Sequence, residues 1–152
     1  MQFQIIAVSY ERYRVAVSDD YCLYSFYSEG PKGLIRKAVI YTKLGPGLFN
    51  FAFGDWHEEY RILDDSVRTN NGDRDKVLAT VAFTALDFTL QFPDVLLHIE
   101  GSTPARTRLY QMGIGNNISE INKNFDIRGF RLQKWEPFIQ GRNYDKFLAQ
   151  RR

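Results

Sequence analysis

Hydrophobic and polar residues alternate with a period of two over three successive segments near the start of the chain, and this pattern predicts strands. Residues 21–29 place Tyr24, Phe26 and Ser28 on one face, with Leu23, Ser25, Tyr27 and Glu29 on the other. Gly30-Pro31-Lys32-Gly33 follows, with proline second and glycine fourth, as a type I turn prefers. Residues 34–44 form a second strand, with Ile35, Lys37, Val39, Tyr41 and Lys43 on one face and Leu34, Arg36, Ala38, Ile40 and Thr42 on the other. Gly45-Pro46-Gly47 breaks it, and residues 48–54 form a third. Two hairpins in succession make an antiparallel meander. A further strand is expected within residues 3–17.

The period then changes. Residues 55–75 are polar and mostly acidic, and Asn70-Asn71-Gly72-Asp73 supplies a turn followed by an N-cap. Beyond it, Val77, Leu78, Val81, Ala82, Ala85, Leu86 and Thr89 recur at helical spacing up to Phe92, where Pro93 stops the helix. Residues 95–99 are a short apolar run, as in an internal strand. Thr103 caps a second helix with Pro104 at its first position. Leu109, Met112 and Ile114 give that helix its apolar contacts, and Gly113 with Gly115-Asn116-Asn117 ends or kinks it. Another turn or two is expected in residues 118–125, a strand in 127–132, a loop in 135–141, and a short terminal helix capped by Asn143. The order predicts an α+β fold: a curved, mainly antiparallel sheet, or β-meander, with two main helices packed on one face. A chain of 152 residues fits a single domain spanning 1–152.

Composition reinforces the sheet. Twelve Phe, nine Tyr and two Trp favour strands and bury large areas. No apolar run approaches the ~20 residues of a membrane-spanning helix, and the N-terminus does not read as a signal peptide. The single cysteine, Cys22, fits a reducing cytoplasm and reads as a structural thiol rather than a nucleophile.

The net charge of +2 conceals an asymmetry: residues 1–100 carry −4 and residues 101–152 carry +6. A basic final third suits phosphate, nucleic acid or an acidic protein partner, and equally suits a solvated surface with no partner.

The stretch from Val95 through Gly101-Ser102-Thr103-Pro104 to Tyr110 concentrates the candidate chemistry. A helix N-terminus exposes unpaired N–H groups and the positive end of the helix dipole. Ser102 and Thr103 add hydroxyls there, and Arg106 and Arg108 add guanidinium forks suited to phosphate or carboxylate. Positive side chains in a first turn are mildly unfavourable, so either a bound anion or an internal Asp or Glu should offset them. Lys32, Arg36 and Lys37 extend the patch if they are displayed. Glu100 and Tyr110 are the candidate acid/base groups beside it, while His98, in an apolar strand, reads as a satisfied sheet histidine. The aromatics of the first strand, Tyr24 and Phe26 on one face and Tyr27 on the other, would make a base-stacking platform with Lys32, Arg36, Lys37 and Lys43 if exposed, although large aromatics are more often core.

Other chemistries find no support. There is no Gly-Lys-Ser/Thr loop, no Gly-x-Ser-x-Gly elbow, no dinucleotide-binding glycine motif and no Cys/His cluster. The acidic segment Asp55-Trp56-His57-Glu58-Glu59-Tyr60 with Asp64-Asp65 matches neither an EF-hand loop nor a His-Glu-x-x-His helix and reads as a solvated connection. No metal or cofactor is expected.

Ser28-Glu29-Gly30-Pro31-Lys32-Gly33, Phe51-Ala52-Phe53-Gly54-Asp55, Asn70-Asn71-Gly72-Asp73, Lys76-Val77-Leu78-Ala79-Thr80-Val81, Trp135-Glu136-Pro137-Phe138 and above all Gly101-Ser102-Thr103-Pro104-Ala105-Arg106-Thr107-Arg108-Leu109-Tyr110 resemble an uncharacterised family of small bacterial proteins, known only as a domain of unknown function. The resemblance runs from about Tyr21 onward. It implies a stand-alone bacterial cytoplasmic protein and brings no activity, substrate or cofactor.

Three functions fit these features. The first is a phosphate- or nucleic-acid-binding module centred on Ser102, Thr103, Arg106 and Arg108. The second is a small metal-independent ribonuclease, such as the toxin of a toxin–antitoxin pair. The third is a protein-interaction module that pairs its acidic and basic segments with itself or with a small partner protein.

Overall fold

The computed structural model describes residues 11–64 and 71–152, among which nine strands and three helices give an α+β fold with a mixed, mostly antiparallel sheet. The strands are β1 (Ala16–Val17), β2 (Leu23–Gly30), β3 (Gly33–Gly45), β4 (Leu48–His57), β5 (Ile62–Asp64), β6 (Leu96–Ile99), β7 (Phe125–Arg131), β8 (Lys134–Pro137) and β9 (Lys146–Arg151). The helices are α1 (Arg74–Gln91), α2 (Pro104–Asn116) and the single turn α3 (Ile118–Ile121). The chain forms two compact units: one takes residues up to Val39 and Phe53–Phe88, the other Ile40–Ala52 and Thr89–Arg152.

In the first unit, β1 pairs antiparallel with β2, which hairpins into β3. Gly33 adopts φ +88°, the left-handed residue that commonly completes such a hairpin turn. Tyr24 and Phe26 are buried and Tyr27 is exposed, so the alternation along β2 is real and its largest rings are core. A cluster of Tyr13, Phe26 and Val77 with Val15, Phe53 and Val81 fills this unit. The acidic segment read as a solvated connection is instead partly a hairpin, with Asp55, Trp56 and His57 of β4 opposite Asp64, Leu63 and Ile62 of β5. The strand expected within residues 3–17 is observed at Ala16–Val17; residues 1–10 lie outside the described residues.

The buried stripe of α1 differs from the apolar positions named above. Val77, Thr80, Thr84 and Phe88 are buried, and Ala82 is exposed. Threonine tolerates this because the helix satisfies its hydroxyl: Thr80 Oγ1 donates to the Lys76 carbonyl at 2.7 Å and Thr84 Oγ1 to that of Val81 at 2.7 Å. Thr80 Oγ1 also accepts the Tyr13 N–H at 2.9 Å.

In the second unit the strand order is β4-β6-β9-β7-β8. β6 lies parallel to β4, with Leu48 opposite Leu96 and Phe51 opposite Ile99. A parallel neighbour requires a crossover, and α1 lies in it. β9 is antiparallel to both β6 and β7, and β7 to β8. The C-terminal segment is therefore a central strand, not the terminal helix its composition suggests. Likewise Trp135 lies in β8 and not in a loop. Helix α2 runs through Gly113 and Gly115 and ends at Asn116 with Asn117 as its C-cap, within the Gly115-Asn116-Asn117 stretch expected to end it. Leu97, Phe125, Ile127, Phe147 and Ala149 are buried along one face of this unit's strands.

Candidate functional site

The strand-turn-helix motif forms as its sequence dictates. β6 ends at Ile99, and Thr103 caps α2 with an extended backbone (φ −138°, ψ 162°) and its Oγ1 accepting the Arg106 N–H at 3.2 Å. Thr107, 3% exposed, closes the turn from inside: its Oγ1 accepts the Gly101 N–H at 3.0 Å and donates to the Thr103 carbonyl at 3.3 Å. Position 101 must be glycine, because a Cβ there would overlap the Thr107 nitrogen and the Arg106 Cβ.

Beside this turn lies a hollow of about 220 Å³ lined by residues 100–104 together with Thr107, Arg108, Tyr144 and Asp145. Four predicted residues thus come together: Glu100, Ser102, Thr103 and Arg108. Arg108 is the best defined. Its Nη1 donates to Gln111 Oε1 at 2.9 Å and to the Tyr144 carbonyl at 3.0 Å. Both acceptors are neutral, and among the described residues no carboxylate lies within ion-pair distance of Arg108. A half-buried guanidinium held this way keeps its full charge facing the hollow.

Arg106 does not line the hollow. Residues two apart on a helix lie about 200° apart around its axis, so Arg106 and Arg108 cannot both face the same space. Tyr110 is also elsewhere, edge-on to Phe51 at a ring separation of 5.7 Å. Lys32, Arg36 and Lys37 belong to the first unit. Lys32 is exposed, while Arg36 reaches Ser25 Oγ at 3.2 Å and the Glu58 carboxylate at 3.5 Å. Lys37 is buried and bonded to Asp55 at 2.6 Å, so its charge is spent inside the fold. The proposed patch extension thereby loses Lys37.

Sequence reasoning missed three residues that shape this site, Gln111, Tyr144 and Asp145. Tyr144 is fully buried, its hydroxyl donating to Glu136 at 2.7 Å and accepting the Ile139 N–H at 3.0 Å, while its own N–H donates to Gln111 Oε1 at 2.9 Å. Burial, reinforced by the bond to Glu136, raises the Tyr144 phenol pKa, so the group is a fixed donor. A lone tyrosine in a segment read as helical carries no sequence signal for this role.

Glu100 opens onto the hollow and also faces His98, with Oε1 at 3.4 Å from Nε2. The other ring nitrogen, Nδ1, lies 2.9 Å from Asn50 Oδ1. Burial lowers the His98 pKa; the Lys146 ammonium adds to that, and the Glu100 carboxylate opposes it. His98 is a sheet histidine, as expected, but one that touches the hollow's rim through Glu100.

The family model described as a family of unknown function (DUF6934) matches residues 9–152. The chain belongs to that family. Neither the curated proteins nor the solved structures give a match. Among the described residues, no group of three His, Cys, Asp or Glu is placed to hold a metal ion, and no helix is long and apolar enough to cross a membrane. Burial, with the Asp20 charge, raises the Cys22 thiol pKa, which keeps it from being a thiolate nucleophile.

Proposed function

We propose that the protein binds nucleic acid through the hollow at the start of α2, with Arg108 holding a phosphate. One observation carries the reading: a partly buried guanidinium, positioned by neutral acceptors, faces a hollow at the positive end of a helix dipole. Ser102 and Thr103 supply hydroxyl donors on the same rim. Glu100 and Asp145 share it too, and two carboxylates disfavour a bare inorganic anion. They suit a ligand that presents hydroxyl or amino donors next to its phosphate, as a nucleotide does.

Calorimetric titration with a nucleoside 3′,5′-bisphosphate tests this. Arg108→Ala should weaken binding by about tenfold or more, the scale of one charge-assisted contact, while Arg108→Lys retains part of it. Added salt should weaken the wild-type interaction. Equal binding by wild type and Arg108→Ala would overturn the proposal.

The His98–Glu100 pair favours a second reading, a ribonuclease working through its own side chains. Glu100 would take the proton from a ribose 2′-hydroxyl and, once protonated, return it to the leaving 5′-oxygen, with the His98 ring 3.4 Å away positioning it and Arg108 holding the phosphate. Incubation with a single-stranded RNA should then give cleavage that falls by about 10²-fold or more in Glu100→Gln. Undiminished cleavage in that variant, or intact RNA with the wild type, eliminates this reading.

A further inference from the structure

Strands β6, β9, β7 and β8 lie side by side, and their registers fix which side chains share a face. Side chains alternate along a strand, and residues directly opposite one another point the same way. His98 is opposite Leu148, Leu148 opposite Arg128, and Arg128 opposite Pro137. Two residues along β9, Lys146 is opposite Phe130, which is opposite Trp135. The reverse face holds the buried Leu97, Phe147, Ala149, Phe125 and Ile127. The face bearing Trp135 and Arg128 is therefore the open one: Arg128 is exposed, Trp135 is 37% exposed, and Phe130, Lys146 and Leu148 are half-buried.

On this face Phe130 and Trp135 form an aromatic pair with centroids 5.0 Å apart. Lys146 Nζ sits 4.9 Å from the Phe130 centroid and 6.0 Å from that of Trp135. Among the described residues no carboxylate is within ion-pair distance of Arg128 or Lys146. The nearest acids by register are otherwise engaged: Glu100, which follows β6 beside Lys146, with His98 at 3.4 Å, Asp126 with Arg152 at 3.4 Å and Glu136 with Arg142 at 2.8 Å. The face thus offers ring surface and un-neutralised positive charge on adjacent strands. The same face of a second copy would bring like charge to it, and an acidic peptide would leave the rings without planar partners. Nucleic-acid bases stack on rings, and their phosphates pair with the cations.

We infer that this open face is a stacking platform for single-stranded nucleic acid, with Trp135 and Phe130 receiving bases and Arg128 and Lys146 receiving phosphates. It shares its ligand class with the reading of the α2 hollow and rests on that reading for nothing else.

The test uses the full chain carrying Trp56→Phe, so that Trp135 is the remaining tryptophan. Labelled oligo(U) and oligo(dT) of roughly 12 nucleotides, within the span such surfaces cover, are titrated by anisotropy and by quenching of Trp135 emission. Quenching is expected on binding. Trp135→Ala should weaken binding by about tenfold, within the range of one lost base stack, and Trp135→Phe should restore most of it. Arg128→Ala and Lys146→Ala should each reduce the slope of log affinity against log salt by about one contact. Preference for oligo(U) would mark the ligand as RNA, and equal affinity as either strand type. Trp135 emission unmoved at saturating oligonucleotide overturns the platform, as does binding of neither oligonucleotide, and the first readout needs no Trp135 variant that might misfold. Oligonucleotide binding that depends on Trp135, without bisphosphate binding, sinks the hollow and keeps the platform. Bisphosphate binding with no Trp135 dependence does the reverse.

Discussion

Lys37 Nζ and Asp55 Oδ1 lie 2.6 Å apart, with side chains 8% and 10% exposed. Lys37 also sits 5.8 Å from the Phe53 ring centroid, against the first unit's core cluster. A buried ion pair costs desolvation that its attraction roughly offsets, so its net stabilisation is small. Removing one member is another matter, because the other is left charged in a poorly solvated place. Lys37→Met should therefore lower stability by about 3–5 kcal/mol, and adding Asp55→Leu should recover most of that loss. Urea unfolding of the two variants at neutral pH checks it. A single variant within about 1 kcal/mol of wild type would mean that water reaches Asp55 after all.

At the scale of elements, legibility followed the strength of local signals. Strands β2, β3 and β4 showed plain alternation between turns rich in glycine and proline. The start of α2 was readable because a Ser-Thr-Pro sequence is a cap with its own mechanism. By contrast, β9 was unreadable. Its sequence, Lys-Phe-Leu-Ala-Gln-Arg, is rich in good helix formers, and its strand state comes from pairing with β6 on one side and β7 on the other. No local pattern reports that pairing. The misreading also hid part of the proposed platform, since only the β9 register brings Lys146 beside Phe130 and places Leu148 opposite His98. The hollow was half legible for a related reason. Glu100, Ser102, Thr103 and Arg108 lie within one short stretch, whereas Tyr144 and Asp145 reach it from a distant one. Arg106 and Lys37 were misplaced because charge counted along a sequence does not say which way a side chain points.

For the molecule as a whole, the question is whether two compact units make one folding unit. β3 and β4 each run unbroken from one unit into the other, and so does α1. Melting one unit alone would require cutting two strands at their middles and a helix in its last turn, exposing their backbone groups at three points. We therefore expect a single cooperative transition, with calorimetric and van't Hoff enthalpies in agreement. Substitutions placed in different units offer a sharper check. Lys37→Met perturbs the first unit. Tyr144→Phe perturbs the second by deleting hydrogen bonds to Glu136 and the Ile139 N–H, at about 1 kcal/mol each. For a chain of this size each kcal/mol should shift the midpoint by about 2–4 °C. If the units are coupled, each variant moves the whole transition, and far-ultraviolet dichroism and tryptophan fluorescence shift together. A variant that splits the transition, leaving one probe at the wild-type midpoint, would show two independently folding domains instead.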